Sequence, residues 1–153
     1  MKLEYIEPFV TSAVNVLQAV LHSPVEPGDI ALLRGNELNG EVSVVIGLRD
    51  HPGENVILNM NREAALNISA AMNGAVSPVL DETGMDAVGE LANMIAGNAV
   101  SSLNDQGFDF SVQPPATVKQ ADLFRITDGL EVFQIPMTSS QGLITVNFTI
   151  RTN

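Results

Sequence analysis

From Asp86 to Asn104 the chain repeats its apolar residues at helical spacing for about five turns, with no proline to interrupt them. At about 100° per residue, Val88, Leu91, Ala92, Ile95, Ala99 and Leu103 gather on one side. Asp86, Glu90, Asn93, Gly97, Ser101 and Asn104 gather on the other and form a polar strip. A helix this long, apolar along one stripe only, must lay that stripe against a core and leave the strip to water. Glu90 and Asn93 are three residues apart, so a carboxylate and a carboxamide emerge as neighbours on the strip. Gly89 and Gly97 sit inside the helix, where each costs roughly 0.5–1 kcal/mol relative to Ala. For Gly89, toward the flank, the expectation is close approach by a neighbouring helix. Gly97 lies under Asn93, and two readings stay open: a neighbouring helix, or a low surface open to another molecule.

The remaining periodicities arrange the chain around this helix. Ile6, Phe9, Val10, Ala13, Leu17, Val20 and Leu21 predict a first helix over residues 4–22, with Pro8 tolerated if it lies in the first turn. Residues 30–33 and 42–46 flank Asn39-Gly40, two residues that accept positive φ, and predict a hairpin. Residues 55–60 read as a third strand, and residues 62–72 as a second helix ending at Asn73-Gly74. Asp81 or Thr83 is placed to cap the long helix, which is expected over about residues 82–106. Phe108, Phe110 and Val112 then alternate with Asp109, Ser111 and Gln113, a strand that Pro114-Pro115 interrupts or ends. Residues 130–135 and 143–150 predict a C-terminal hairpin, with Ile144, Val146, Phe148 and Ile150 on one face. The order is helix, three strands, two helices and about three strands. It predicts an α+β fold, a single domain over residues 1–153, with a largely antiparallel sheet covered by helices.

Charge and composition narrow the function. A formal net charge of −11 disfavours nucleic acid and anionic membrane as partners, since both are polyanions read by Lys and Arg. No apolar run approaches the roughly 20 residues of a membrane helix. There is no cysteine, hence no disulfide, thiolate metal site or Cys nucleophile. Glu4 and Glu7 stand where a leader would be basic, and the expected location is cytoplasmic. His22 and His51 stand apart, without a second ligand at metal spacing, and read as ordinary surface or packing residues. No phosphate loop, G-x-S-x-G elbow or H-E-x-x-H is present.

What remains is Glu90 with Asn93. An asparagine cannot move a proton, but its carboxamide has an acceptor and a donor end and, held rigidly, can orient an attacking water. Glu90 can serve as a base, as an anchor for a partner's lysine, or as plain surface.

The motif resembles that of the CheC/CheX/FliY phosphatases of bacterial chemotaxis: Asp or Ser, three residues, Glu, two residues, Asn, and a proline about 22 residues later. Here Asp86, Glu90 and Asn93 keep that spacing, and 21 residues follow before Pro115. The order of elements agrees along nearly the whole chain. With one copy of the motif, and no second Glu-x-x-Asn anywhere, the chain is most similar to the CheX type. The resemblance implies a phosphatase acting on a phosphorylated CheY-like response regulator. Asn93 would position the water that attacks the aspartyl phosphate, and Glu90 would pair with the regulator's active-site lysine. Asp86, Gly97 and Ser101 would contact the partner, and Pro115 would be structural. No cofactor of its own is implied, Mg²⁺ being carried by the regulator, and a homodimer joined through the sheet is expected. The alternative, from a different class, is a non-catalytic module that binds or sequesters a receiver domain. A sheet-dimerised sensor of small molecules is disfavoured, for no convergent polar cluster stands apart from the helix strip.

Overall fold

The computed structural model describes residues 3–49 and 51–150, with side chains described for residues 4–49 and 51–149. Along the chain it places α1 (Leu3–Leu21), β1 (Glu26–Pro27), β2 (Ala31–Arg34) and a 3-10 turn at Gly35–Glu37. There follow β3 (Val42–Gly47), β4 (Asn55–Met60), α2 (Arg62–Asn73) and α3 (Glu82–Asp105). The last elements are β5 (Ala116–Val118), α4 (Gln120–Thr127), β6 (Glu131–Thr138) and β7 (Ile144–Ile150). The strands form one sheet in the order β1-β6-β7-β4-β3-β5, with β2 beside β1 on the same edge of β6, and every pairing is antiparallel.

Strand alternation divides this sheet into two unlike faces. Val44, Leu58, Val146 and Ile135 lie in register across β3, β4, β7 and β6 and are buried beneath α1, α2 and α3. One residue along, Val45, Ile57, Asn147 and Gln134 form the next row and point to the opposite face. There a smaller apolar cluster of Leu38, Val45, Ile57, Leu123 and Val132 packs under α4. The polar neighbours in that layer satisfy one another. Asn147 Nδ2 donates to the Ile57 carbonyl at 3.1 Å, while its Oδ1 accepts from Gln134 Nε2 at 3.1 Å. Burying such carboxamides is tolerable only because their hydrogen bonds are replaced within the fold.

Local signals place the helices accurately. Asn61 Oδ1 accepts from the Ala64 amide at 2.9 Å to start α2, which Gly74 ends at φ 74° with its amide on the Ala70 carbonyl. Asp81, rather than Thr83, caps α3, accepting from the Gly84 amide at 2.9 Å. Ile144, Val146 and Phe148 are all buried on one face of β7; the side chain of Ile150 lies outside the described residues.

Four expectations need correction. Residues 31–34 do not pair with β3: they pair with β6, and Asn39-Gly40 makes no hairpin, neither residue having positive φ. Instead the Asn59 carboxamide clamps Gly40, accepting from its amide at 2.9 Å and donating to its carbonyl at 3.2 Å. That close approach, with the Met60 carbonyl also near, leaves no room for a Cβ and is what the glycine serves. Pro8 lies in the second turn of α1, not the first, because the helix runs from Leu3. Residues 108–113 keep their alternation, with Phe110 buried and Asp109, Ser111 and Gln113 exposed, but they pair only through one bridge, Leu48 to Val112. The true strand is β5, beyond the two prolines, and α4 follows it where no helix is expected.

Candidate functional site

The stripe of α3 is buried as its periodicity demands: Val88, Leu91, Ala92, Ile95, Ala99 and Leu103 are each no more than 3% exposed. α1 and α2 flank it, and the buried Ser12 hydroxyl donates to the Ile95 carbonyl at 2.7 Å, tying α1 to the middle of α3. Near its start, Gly84 leaves just enough space for the Ser69 hydroxyl and Leu80, so α2 lies close. The helix is thereby held along both flanks and along its base.

Asp86, Glu90, Asn93, Gly97 and Ser101 all lie exposed on the opposite strip, as their spacing predicts. Glu90 and Asn93 are separated by about 4.5 Å of helix rise and project side by side. Among the described residues, neither the Glu90 carboxylate nor the Asn93 carboxamide has a hydrogen-bond or ion-pair partner. This contrasts with Asn61, Asn59, Asn104 and Asn147, whose carboxamides are all occupied within the fold. A carboxamide and a carboxylate with unspent hydrogen-bonding capacity, on a helix that cannot readily shift, form a preorganised pair directed outward.

The two helix glycines separate. Among the described residues nothing lies within 4 Å of the position a Cβ would take on Gly97, so none of the described helices approaches it. Gly89 is buried, but what faces it is β5 rather than a helix, with Thr117 Cγ2 at 4.0 Å from the Cβ position. Neither glycine is demanded by packing within the chain. Asn104, the last residue of the strip, is committed to structure. It donates to the Phe110 carbonyl at 3.0 Å and accepts from the Phe110 amide at 2.8 Å, turning the chain back after the helix. Pro115 is half-buried and immediately precedes β5, which carries Thr117 to the flank of α3.

His51 lies in the turn beside Glu54, with Nδ1 and Oε2 3.3 Å apart, and its ring packs at 5.1 Å from that of Phe110. His22 sits just beyond α1 with φ 51°. The described residues contain no group of three His, Asp or Glu placed to hold a metal ion. No described helix is long and apolar enough to cross a membrane.

Two recesses flank α3. One of about 500 Å³ opens between α1 and the C-terminal half of α3, lined in part by Glu4, Glu7, Asn98 and Ser102. The other, about 450 Å³, lies beside the N-terminal half, between β5 and the start of α2, and includes Arg62, Met85 and Lys119. Sequence periodicity marks neither recess, since each is built from elements far apart in the chain.

Residues 42–138, which include the Glu90/Asn93 pair, match the family model described as chemotaxis phosphatase CheX. The chain is 27% identical over 124 residues to the CheY-P phosphatase CheX of Thermotoga maritima, covering 80% of each. Its fold is similar to that of a CheC-like superfamily protein from Shewanella sp. PV-4, with a TM-score of 0.82 and 26% identity over 99% of this chain and 100% of the other. It is similar also to the Borrelia burgdorferi chain solved in a CheX–CheY–BeF3–Mg²⁺ complex, with a TM-score of 0.76 and 29% identity over 99% of this chain and 100% of that one.

Proposed function

The chain belongs to the chemotaxis phosphatase CheX family, and on that premise we propose that it hydrolyses the aspartyl phosphate of a CheY-like receiver domain, with Asn93 and Glu90 as the working residues. The observation that carries this reading is the unoccupied carboxylate–carboxamide pair on the braced face of α3. The relative crystallised with CheY, BeF3 and Mg²⁺ supports the choice of partner.

The chemistry asks little of the protein. An aspartyl phosphate is a mixed anhydride with a good leaving group, so hydrolysis needs chiefly a water held in line and a compensated charge. Asn93 Oδ1 accepts from the water, which directs an oxygen lone pair at phosphorus. The new P–O bond forms as the bond to the aspartyl oxygen breaks; the aspartate leaves as carboxylate, and the water's proton passes to the phosphate. Glu90 pairs with the ammonium of a receiver lysine, drawing it from the phosphoryl group and fixing the register of the two surfaces. The metal that neutralises phosphoryl charge belongs to the receiver. Asp86, Gly97 and Ser101 form the rest of the contact strip, Gly97 letting the partner's backbone come close. The homodimer expected of this family would form through the sheet, whose β2 edge pairs among the described residues only with β6 and leaves Ile30 and Leu32 exposed. The mass in solution, by light scattering, checks it.

The test is decay of a phosphorylated receiver with this protein at about one-twentieth of its concentration. Acceleration that continues over many turnovers and disappears in Asn93→Ala is the expected result. Stable binding without acceleration would replace catalysis by sequestration.

A further inference from the structure

The chain has only seven Lys and Arg against eighteen Asp and Glu, so a place where two exposed cations converge is unusual. Arg62, the first residue of α2, and Lys119, just before α4, come together in the 450 Å³ recess beside the start of α3, with Val42, Leu80, Met85 and Val118 forming its apolar lining. Neither cation is ion-paired among the described residues. Arg62 makes only a long contact to the Pro78 carbonyl, 3.5 Å from Nη2, and Glu41 at the rim accepts from the Arg62 backbone amide at 3.2 Å. Two cations thus lie beside an apolar floor without a side-chain ion pair among the described residues, with a single carboxylate, Glu41, at the rim and engaged by a backbone amide, in a protein of the opposite net sign.

The recess lies within reach of a partner seated on the strip. Met85 precedes Asn93 by eight residues, about 12 Å along the helix axis. A standard interface buries about 800 Å² per partner, a patch roughly 30 Å across. A receiver centred on Asn93 therefore extends over the recess. A receiver that holds Mg²⁺ beside an aspartyl phosphate is ringed by hard oxygen donors, carboxylates foremost, so its phosphorylated face is acidic. On the other flank of α3 the recess carries Glu4 and Glu7, which repel such a surface.

Resting on the proposed phosphatase reading, we propose that the Arg62/Lys119 recess is a second docking contact that receives the acidic rim of the receiver and so sets its orientation on α3. These residues are specificity determinants. They meet the partner's surface, not the phosphoryl group, and they supply the local attraction that the overall charge of the chain denies.

The experiment is the double charge reversal Arg62→Glu/Lys119→Glu, assayed for turnover of a phosphorylated receiver across ionic strengths. Both positions lie at helix starts, where an acidic side chain is favourable, so folding should survive; a thermal melt checks this, and Lys119→Gln serves if it does not. The expected result is a KM raised roughly five- to tenfold with kcat retained, and loss of the fall in kcat/KM that salt produces in the wild type. Arg125→Glu, on α4 at the opposite face, should leave both unchanged. If KM and salt dependence of the double variant match the wild type while Asn93→Ala abolishes turnover, the docking contact is refuted and the phosphatase reading stands. If the wild type acts on no receiver, both fall.

Discussion

The two faces of α3 are built from one stretch of sequence and obey opposite rules. On the inner face the apolar side chains are buried against the core, and Ser12 reaches across from α1 to the Ile95 carbonyl. On the outer face Glu90 and Asn93 have no hydrogen-bond or ion-pair partner among the described residues. The inner face holds the outer one still, and a loop could not do this. The lesson is that stability and function on this helix are separable residue by residue, although the residues interleave.

Breaking the inner face should cost the most stability. Leu91 is fully buried, and Leu91→Ala should destabilise the protein by about 2–5 kcal/mol through lost transfer energy and an unfilled cavity, read as a lowered denaturant midpoint. Turnover measured well below the transition should be reduced far less than stability. The outer face should show the converse. Asn93→Ala should lower turnover by about 100-fold or more, equivalent to about 2.7 kcal/mol in the barrier, and leave the melting temperature within about 1–2 °C of wild type. Glu90→Ala should chiefly raise KM, and a normal affinity in that variant would remove its anchoring role. Asn104 tests the border between the faces, for it lies on the strip yet bonds to Phe110 at both ends of its carboxamide. Asn104→Ala should therefore behave as an inner-face change, destabilising by about 1–3 kcal/mol with turnover little altered. The smallest effect sharpens the contrast most. Nothing opposes a methyl group at Gly97, so Gly97→Ala should stabilise the helix by up to about 1 kcal/mol while weakening the complex. Unchanged affinity for the receiver would show that Gly97 lies outside the contact.

Much of the site could be read before any coordinates, because what defines it is local. The spacing of Asp86, Glu90 and Asn93, the stripe beneath them, and a cap at Asp81 or Thr83 all depend on residues within a few positions of one another. The same holds for Asn73-Gly74 at the end of α2 and for the alternation of β7. β5 and α4 escaped because three residues are too few for a period, and because α4 shows only Leu123 and Thr127 on its buried face.

The amino-acid sequence by itself determined where α1, α2 and α3 begin and end to within a residue, which side of each is apolar, and which two side chains stand together on α3, since a helix closes its hydrogen bonds within four residues. Only the tertiary structure decided that β2 belongs to β6 about a hundred residues away, that Asn59 rather than a tight turn accounts for Gly40, and that Arg62 and Lys119 share one recess. A strand leaves its backbone hydrogen-bonding groups to whatever lies beside it, and a recess belongs to no single segment. Both are therefore settled by the packing of the whole chain, which no local pattern records.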